Sequence, residues 1–303
     1  MELVASVSRS SGLEKDGDTL KDKKVQEDYR KFIQGKLEDV LRKYHRRLTE
    51  TETERRHRVE AQENVLILFR KLREGLSSTG RRDLFALEVY ETSLFLAIIF
   101  DSPRHASAMV SHLVPEMYLS CPLPHPNITF AIIVSLIHHL LVTYPTQGPF
   151  QQHLDSIPHH LFAKCSEARK WLITLAACLR NRHYTSFERE TRRSTTLRVL
   201  GQEDKDPDSV HLGLLAIFVG IDGLRAKARE SAWSVMRVAY RELVCHAEYT
   251  NTRNWLERSL CLQSAVSEAC NVSLDHWLGQ QNTVGSIRAK EGAEGRWIVC
   301  KTR

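Results

Sequence analysis

The chain lacks the short motifs that mark common phosphate and metal sites. Its 303 residues contain no Gly-x-x-x-x-Gly-Lys or Gly-x-Gly-x-x-Gly pattern, and no Cys-x-x-Cys or His-Glu-x-x-His pattern. The pairs His138-His139 and His159-His160 lack ligand spacing, because adjacent residues point about 100° apart on a helix. We therefore expect no metal, no cofactor and no catalytic residues. An enzyme with a dispersed active site is the alternative, and it would require a deep pocket with converging polar groups.

The chain also lacks a long uninterrupted apolar segment. Residues Met1 to Leu20 are polar, whereas a secretory signal contains an apolar stretch of about 7 to 15 residues. The longest apolar stretch, Ile128 to Val142, is shorter than the roughly 20 residues of a membrane-spanning helix. The 7 cysteines are odd in number and widely spaced, as in reduced intracellular proteins. We expect a soluble intracellular protein without disulfides or membrane contact.

What is present is a mildly basic chain with enough apolar residues for a core. Hydrophobic residues make up 42%, and 43 Lys and Arg against 37 Asp and Glu give a net charge of +6. This charge permits binding to nucleic acid or to an acidic protein and requires neither. Residues 1–24 are rich in Ser, Asp, Lys and Gly and predict a disordered leader, because they carry few large apolar side chains.

Residues 25–250 predict a mainly α, helical-repeat region. Apolar residues recur there at helical spacing between breaks rich in proline, glycine and polar residues. The predicted helices are Tyr29–Tyr44, Val65–Leu76, Leu84–Phe100, Ala106–Tyr118, Ile128–Val142, Leu154–Phe162, Trp171–Leu179, Val210–Val219 and Ala226–Val244. Ser102 and Pro103 suit a helix start, and Asn127 can cap the helix that follows it.

Residues 251–303 predict a small C-terminal winged-helix subdomain. Asn251 and Thr252 can cap a first helix, Ser264 a second, and Val272–Leu278 forms a third. Two β-prone segments follow on either side of a turn that contains two glycines, a hairpin signal. The predicted strands are Val284–Ala289 and Trp297–Lys301, with Gly292 and Gly295 between them.

A first basic segment lies in the helical region. Its arginines outnumber the neighbouring glutamates, and Tyr184 and Phe187 are interleaved with them, so the segment suits phosphate contacts together with base stacking. The predicted nucleic-acid-binding residues are Arg182, Arg189, Arg192, Arg193 and Arg198. The alternative is a solvated helix face whose aromatic residues belong to the core. Reversal of Arg192 and Arg193 to Glu is expected to weaken RNA binding and to leave the fold intact.

A second basic segment lies on the predicted hairpin. From there it can reach a nucleic-acid backbone without loss of core residues. Its predicted nucleic-acid-binding residues are Arg288, Lys290, Arg296 and Lys301. The alternative is a charged edge strand that prevents aggregation.

Several short segments resemble one protein family. They are Phe85 to Thr92, which contains Val-Tyr-Glu, then Asp101 and Leu113 to Tyr118, and later Ala177 to Phe187. This succession is similar to the germinal-centre-associated nuclear protein (GANP) family with its yeast Sac and Thp relatives, most of all to the Thp and leukocyte-receptor-cluster branch. The chain departs from that pattern at His183, Thr185 and Ser186, and it lacks the family's upstream Arg-Gln-Asp helix.

The resemblance implies a PCI-like architecture, a stack of helical repeats that ends in a winged helix. It implies a non-catalytic scaffold of a nuclear complex in messenger-RNA transcription, processing or export, with the cytoplasm as a second location. The implied partners are another PCI-domain subunit, a small acidic Sem/DSS-type protein, and RNA. PCI subunits associate through their C-terminal winged helices, each of which forms the cap of its helix stack. The candidate partner-binding residues in this cap are Leu260, Val284, Ile287, Trp297 and Val299. The alternative is a PCI subunit of a proteasome lid, signalosome or translation-initiation assembly that does not bind nucleic acid.

Overall fold

The computed structural model describes residues 20–44, 50–120, 125–203, 211–246 and 248–301. Most of these residues are helical, which confirms the predicted mainly α class. The predicted leader, 1–24, falls outside the described residues except for its last five. Those five are ordered, because Leu20 is buried and Asp22 caps the first helix through hydrogen bonds to two backbone N–H groups.

The secondary structure consists of helices with three short strands near the C-terminus. The helices are α1 (Lys23–Lys43), α2 (Glu52–Ser78), α3 (Leu84–Ile99), α4 (Pro103–His112), α5 (Tyr118–Ser120), α6 (Ile128–Thr143), α7 (Gly148–Ser156), α8 (Glu167–Arg180), α9 (Tyr184–Glu190), α10 (Arg193–Leu200), α11 (Leu212–Ala239), α12 (Thr250–Ser259) and α13 (Leu274–Thr283). The strands are β1 (Glu242–Val244), β2 (Ile287–Ala289) and β3 (Arg296–Val299). A π-helical turn, Leu113–Met117, follows α4, and a 3-10 turn spans Glu268–Cys270. Within the described ranges, no helix combines the length and the apolar character needed to cross a membrane.

The chain divides into two compact units. The first comprises the described residues within Met1–His138, Ser156–Leu161 and His211–Ala216. The second comprises those within His139–Asp155, Phe162–Val210 and Ile217–Arg303.

In the first unit, consecutive helices pack on one another, α1 on α2, α2 on α3 and α3 on α4. Their starts are set by local capping. Thr51 and Glu54 form a capping box at α2, and the side chain of Asp83 accepts a hydrogen bond from the backbone of α3. Ser102 differs from its predicted role: its hydroxyl lies 2.8 Å from Nδ1 of His105 and caps no backbone group.

A buried carboxylate joins the segments of the first unit that carry the family resemblance. Glu91 is 1% exposed and accepts hydrogen bonds from the Tyr118 hydroxyl, at 2.6 Å, and from the Asn127 amide, at 2.9 Å. His125 Nδ1 lies 3.0 Å from the same carboxylate, at ion-pair distance but without hydrogen-bond alignment. Burial raises the pKa of Glu91 above its ordinary value. The side chain of Asn127, which the sequence predicts as the cap of α6, thus donates a hydrogen bond to Glu91.

Helix α11, whose residues from Ile217 onward belong to the second unit, is one continuous helix where the sequence predicts two. The predicted interruption contains Gly223, which permits a close approach: a Cβ at this position would lie 3.0 Å from a side-chain atom of Leu141. Asp222 beside it bonds to a loop. The glycine and the polar residue serve helix packing here and do not end the helix.

Two other predicted helices are displaced. The helix predicted at Leu154–Phe162 lies earlier, as α7 (Gly148–Ser156), and the helix predicted from Ser264 is replaced by irregular structure and the 3-10 turn. The α12 helix begins at Thr250 without a side-chain cap, so Asn251 and Thr252 lie inside it.

The strands form a three-stranded antiparallel sheet in the order β1-β3-β2. The predicted hairpin is formed by β2 and β3, but β2 begins at Ile287, because Val284 ends α13 with an N–H bond of 3.1 Å to the carbonyl of Gln280. Strand β1 lies within a segment that the sequence predicts as helix and ahead of the predicted boundary at residue 251. Its partner is β3, which follows more than fifty residues later in the chain.

Candidate nucleic-acid interface

The sheet presents one face to the protein interior and carries basic side chains on the other. Residues directly opposite on neighbouring strands share a face, as do residues two apart on one strand. Arg288 and Glu242 both lie opposite Ile298, and Arg296 is two residues from Ile298. These residues therefore share the outer face. The opposite face includes Leu243, Ile287 and Val299, which are all buried.

A carboxylate partly neutralises the basic face. The ammonium of Lys290 lies 3.2 Å from Glu242 Oε1, and the guanidinium of Arg296 lies 3.5 Å from the same atom. Both pairs are partly exposed, and such pairs contribute only about 0 to 1 kcal/mol. Lys290 and Arg296 can therefore exchange the carboxylate of Glu242 for a phosphate at a small cost in free energy. Arg288 is exposed and can contact a phosphate directly.

The tip of the hairpin is less basic than its face. Its turn contains Glu291 and Glu294, both exposed, and Lys301 is exposed beyond β3. Positive charge is thus concentrated on the outer sheet face, where Arg288, Lys290 and Arg296 lie, and not at the tip. We refer to these three residues as the basic sheet face.

The first basic segment occupies α9, α10 and the turns around them. Arg182 and Arg198 are exposed, and Arg189 forms an ion pair of 3.1 Å with its neighbour Glu190. Arg192 binds the buried Glu188 with two hydrogen bonds of 2.9 and 3.0 Å, and this pairing raises the pKa of Arg192. Three arginines of the segment, Arg182, Arg189 and Arg198, are therefore available at the surface.

The aromatic residues of this segment belong to the core. Phe187 is fully buried and Tyr184 is 9% exposed. Neither can stack on a nucleic-acid base without unpacking the helix. The alternative placement in the core, left open by the sequence, is the one found in the structure.

Arg193 has an internal role that its sequence context does not indicate. Its guanidinium lies 4.6 Å from the ring centroid of Phe218 and donates a hydrogen bond of 3.0 Å to the carbonyl of Val266. These contacts argue against the expectation that Arg192 and Arg193 can both be reversed with the fold intact. Reversal of Arg193 would place a carboxylate against backbone carbonyl oxygens.

Arg193 is one of four charged residues that hold the loop before α13. Asp222 on α11 accepts a hydrogen bond of 2.7 Å from the backbone N–H of Ala265 and another from the hydroxyl of Ser264. Arg229 donates to the carbonyls of Leu260 and Cys261 at 2.9 and 2.8 Å. We call Asp222, Arg225, Arg229 and Arg193 the loop clamp.

Arg225 is the most deeply buried member of the loop clamp, at 1% exposure. It donates to Thr191 Oγ1 and to the carbonyl of Glu188, each at 3.0 Å, and also to the carbonyl of Gln263. Burial lowers the pKa of Arg225 and of Arg229. The carbonyl oxygens replace the water that these guanidinium groups lose.

The sequence carried a signal for the loop clamp that motif reasoning missed. Asp222, Arg225 and Arg229 are three and four residues apart, which places them on one face of α11. An acidic and two basic residues at that spacing form a charged stripe along one side of the helix, which indicates a polar contact there. The carbonyls that they bind have no sequence signature.

The candidate partner-binding residues separate into interior and surface positions. Leu260, Ile287 and Val299 are buried, so they are held in the core of the second unit and present no surface to a partner. Trp297 is half-buried, and Val284 is 72% exposed. Val284 and Trp297 remain the candidates that a partner can reach.

In the part of the chain that the structure describes, no three His, Cys, Asp or Glu residues are grouped so that they could hold a metal ion. A cavity of about 120 Å³ lies in the first unit, lined in part by Tyr90, His112 and Glu116. Its lining combines basic and acidic groups, and it contains none of the predicted site residues.

No protein-family model matches the chain, and no curated protein matches its sequence.

Proposed function

We propose that the chain is a non-catalytic PCI-type scaffold subunit of a nuclear complex that acts in messenger-RNA transcription, processing or export. In this proposal its C-terminal region is a winged helix that joins a partner subunit and contacts RNA. The order of elements from α11 onward supports this interpretation. It runs helix, strand, helix, helix, strand, strand, with the sheet order β1-β3-β2 expected of a winged helix.

The loop clamp is the observation that carries the proposal. A scaffold acts by holding its binding surfaces at a fixed geometry, so the cap must be joined rigidly to the helices beside it. Asp222, Arg225 and Arg229 join α11 to the loop between α12 and α13 by hydrogen bonds in both directions. Hydrogen bonds that involve charged groups contribute about 1.5 to 3 kcal/mol each, enough for a cooperative joint.

The basic sheet face is the surface that this arrangement would present to RNA. Arg288 and Arg296 are exposed, and the pleat places both on the outer face together with Lys290. Arginine binds phosphate through paired N–H groups, and contacts of this kind position a nucleic acid without reading its sequence. RNA binding through this face is expected to depend strongly on salt.

The partners follow from the family resemblance. A second PCI subunit would contact the cap through the exposed Val284, the half-buried Trp297 and the edge strands β1 and β2. A small acidic Sem/DSS-type protein would suit the net charge of +6.

A titration with labelled single-stranded RNA at several salt concentrations tests the RNA contact. The double variant Arg288→Glu, Arg296→Glu is expected to bind about tenfold or more weakly, because each phosphate contact involves a charged hydrogen bond. Its affinity should also vary less steeply with salt. The double variant Arg56→Glu, Arg104→Glu, at exposed positions of α2 and α4, is the control with the same change of net charge. Equal affinities for the double variant and the control would exclude the basic sheet face.

A second candidate function is a PCI subunit of a proteasome lid, signalosome or initiation assembly that does not bind RNA. The neutralisation of Lys290 and Arg296 by Glu242 favours it, as do the exposed Glu291 and Glu294 at the tip. Affinity purification followed by mass spectrometry separates the two functions. Recovery of messenger-RNA export factors supports the first, and recovery of lid, signalosome or initiation subunits supports the second.

A further inference from the structure

The exposed aromatic side chains of the second unit are concentrated around β1. Among the residues that the structure describes, the exposed aromatic ones are Tyr240, Tyr249 and Trp255, at 42%, 55% and 36%. They fall within sixteen consecutive positions of the chain. Exposed apolar groups that are gathered in this way, and not scattered singly, mark interaction sites.

The rings of Tyr240 and Trp255 contact each other. Their ring centroids lie 5.7 Å apart and the ring planes are inclined at 67°, an edge-to-face contact. Tyr240 follows the last residue of α11 and donates its N–H to the carbonyl of Met236 at 2.9 Å. Trp255 lies on α12, whose next residue, Leu256, is fully buried. Tyr240 is thus held at the end of α11 and Trp255 within α12, while part of each ring remains open to solvent.

Uncompensated positive charge lies beside this pair. Arg241 follows Tyr240 in the chain, and Arg258 is three residues after Trp255, hence on the same side of α12. Both are exposed, and within the described ranges neither side chain forms a hydrogen bond or an ion pair. The nearby Arg253 differs, because it binds Asp275 at 2.7 and 3.0 Å.

We infer that Tyr240 and Trp255 form a base-stacking subsite for single-stranded RNA, with Arg241 and Arg258 on the adjacent phosphates. The inference rests on the proposed RNA contact and deepens it. The basic sheet face offers phosphate contacts alone, whereas this pair offers a flat apolar surface for bases. Aromatic rings next to free cations are the combination by which proteins hold single strands without sequence preference.

A protein partner is the competing occupant, because Trp, Tyr and Arg also dominate protein–protein hot spots. Two observations favour RNA. The cations at the pair are unpaired, and Glu242, two residues after Tyr240, lies 3.2 Å from Lys290 and 3.5 Å from Arg296 of the basic sheet face. A strand whose bases stack on the pair therefore has Arg241 and Arg258 available for its phosphates.

The test compares an oligouridylate with an abasic strand of equal length, both labelled, in anisotropy titrations of the full chain. The abasic strand keeps the phosphates and removes the stacking groups. Trp255→Ala and Tyr240→Ala are each expected to weaken oligouridylate binding about 5- to 140-fold, the range for loss of one stacked base. Binding of the abasic strand and the salt dependence should not change. Trp255→Phe should retain most of the affinity.

Val238→Ala is the matched control, since Val238 is 72% exposed, apolar and close in sequence but not aromatic. Melting temperatures establish that each variant is folded. If the wild type binds both strands and Trp255→Ala equals the control, the stacking subsite is excluded while the RNA contact stands. If the wild type binds neither strand, both proposals fail. Loss of a co-purified protein with RNA affinity unchanged would assign the pair to a protein partner and overturn the inference.

Discussion

The carboxylate of Asp222 accepts a hydrogen bond of 2.7 Å from the backbone N–H of Ala265, 43 residues later in the chain. The bond joins α11 to the loop between α12 and α13. The three arginines of the loop clamp donate hydrogen bonds to carbonyls of the same loop. The loop backbone therefore both donates to Asp222 and accepts from the arginines. The orientation of the cap relative to α11 is therefore a property of charged side chains as well as of apolar packing.

Asp222→Ala is expected to destabilise the protein by about 2 kcal/mol or more, because it leaves the Ala265 N–H and the Ser264 hydroxyl without their acceptor. The melting temperature and the midpoint of urea unfolding measure this change. Glu230→Ala, an exposed position on the same helix, is the control and should change stability by less than about 0.5 kcal/mol. Equal losses in the two variants would contradict a role for the loop clamp.

Arg193→Glu and Arg198→Glu make the same change of charge within helix α10. We expect the first variant to be destabilised and the second to keep its stability. The first loses the contacts with Phe218 and the Val266 carbonyl and should cost about 1 to 3 kcal/mol. The second lies at an exposed position and should leave stability nearly unchanged. Urea unfolding followed by circular dichroism compares them. A destabilised Arg198→Glu with a stable Arg193→Glu would show that the two roles are reversed.

In the hairpin turn, Gly292→Ala introduces backbone strain alone, whereas Gly295→Ala introduces backbone strain and steric overlap. Both glycines have positive φ, 67° and 72°, so alanine costs about 1 kcal/mol at each. A Cβ at Gly295 would also lie 2.6 Å from the Cα of His246, whereas a Cβ at Gly292 meets open space. Gly295→Ala should therefore lose about 1 to 3 kcal/mol more than Gly292→Ala in thermal unfolding. Similar losses of stability in the two variants would mean that the backbone at His246 shifts away from the new Cβ at little cost.

His153 is expected to make the stability of the protein depend on pH. Burial, together with the neighbouring His139, lowers the pKa of His153 to about 4, and the two rings lie 4.6 Å apart. The unfolded chain, with a His pKa of about 6.5, takes up the proton first as the pH falls. The free energy of unfolding contributed by this group is thus fully present above about pH 6.5 and decreases between about pH 6.5 and 4.

His153→Gln should therefore show a shallower fall in melting temperature than the wild type between about pH 6.5 and 4. His160→Gln, at an exposed position, is the control and should follow the wild type. Parallel curves for His153→Gln and the wild type would contradict the effect.

Some elements could be predicted almost to the residue. Helix α3 was predicted at Leu84–Phe100 and is found at Leu84–Ile99, and the hairpin was predicted from the turn that contains Gly292 and Gly295. Capping residues, apolar periodicity and glycines with positive φ act over a few neighbouring positions, so the sequence displays them directly.

Other elements depended on residues far away. Strand β1 forms because β3 supplies its hydrogen-bonding partner, and α11 continues through Gly223 because Leu141 packs closely there. In the candidate site, Arg193 and Arg198 belong to one basic segment of the sequence, yet one contacts the interior and the other the solvent. Local pattern cannot distinguish them, because the carbonyls and the ring that Arg193 contacts come from other segments.

The sequence by itself determined that the chain is mainly helical, where most turns fall, and which segments are basic. Only the tertiary structure decided which charged residues hold the loop before α13, which lie on the outer sheet face, and which aromatic rings stay exposed at Tyr240 and Trp255. The reason is physical. Helix formation follows from interactions within about four residues, whereas burial and pairing of a side chain depend on groups that folding brings in from distant parts of the chain.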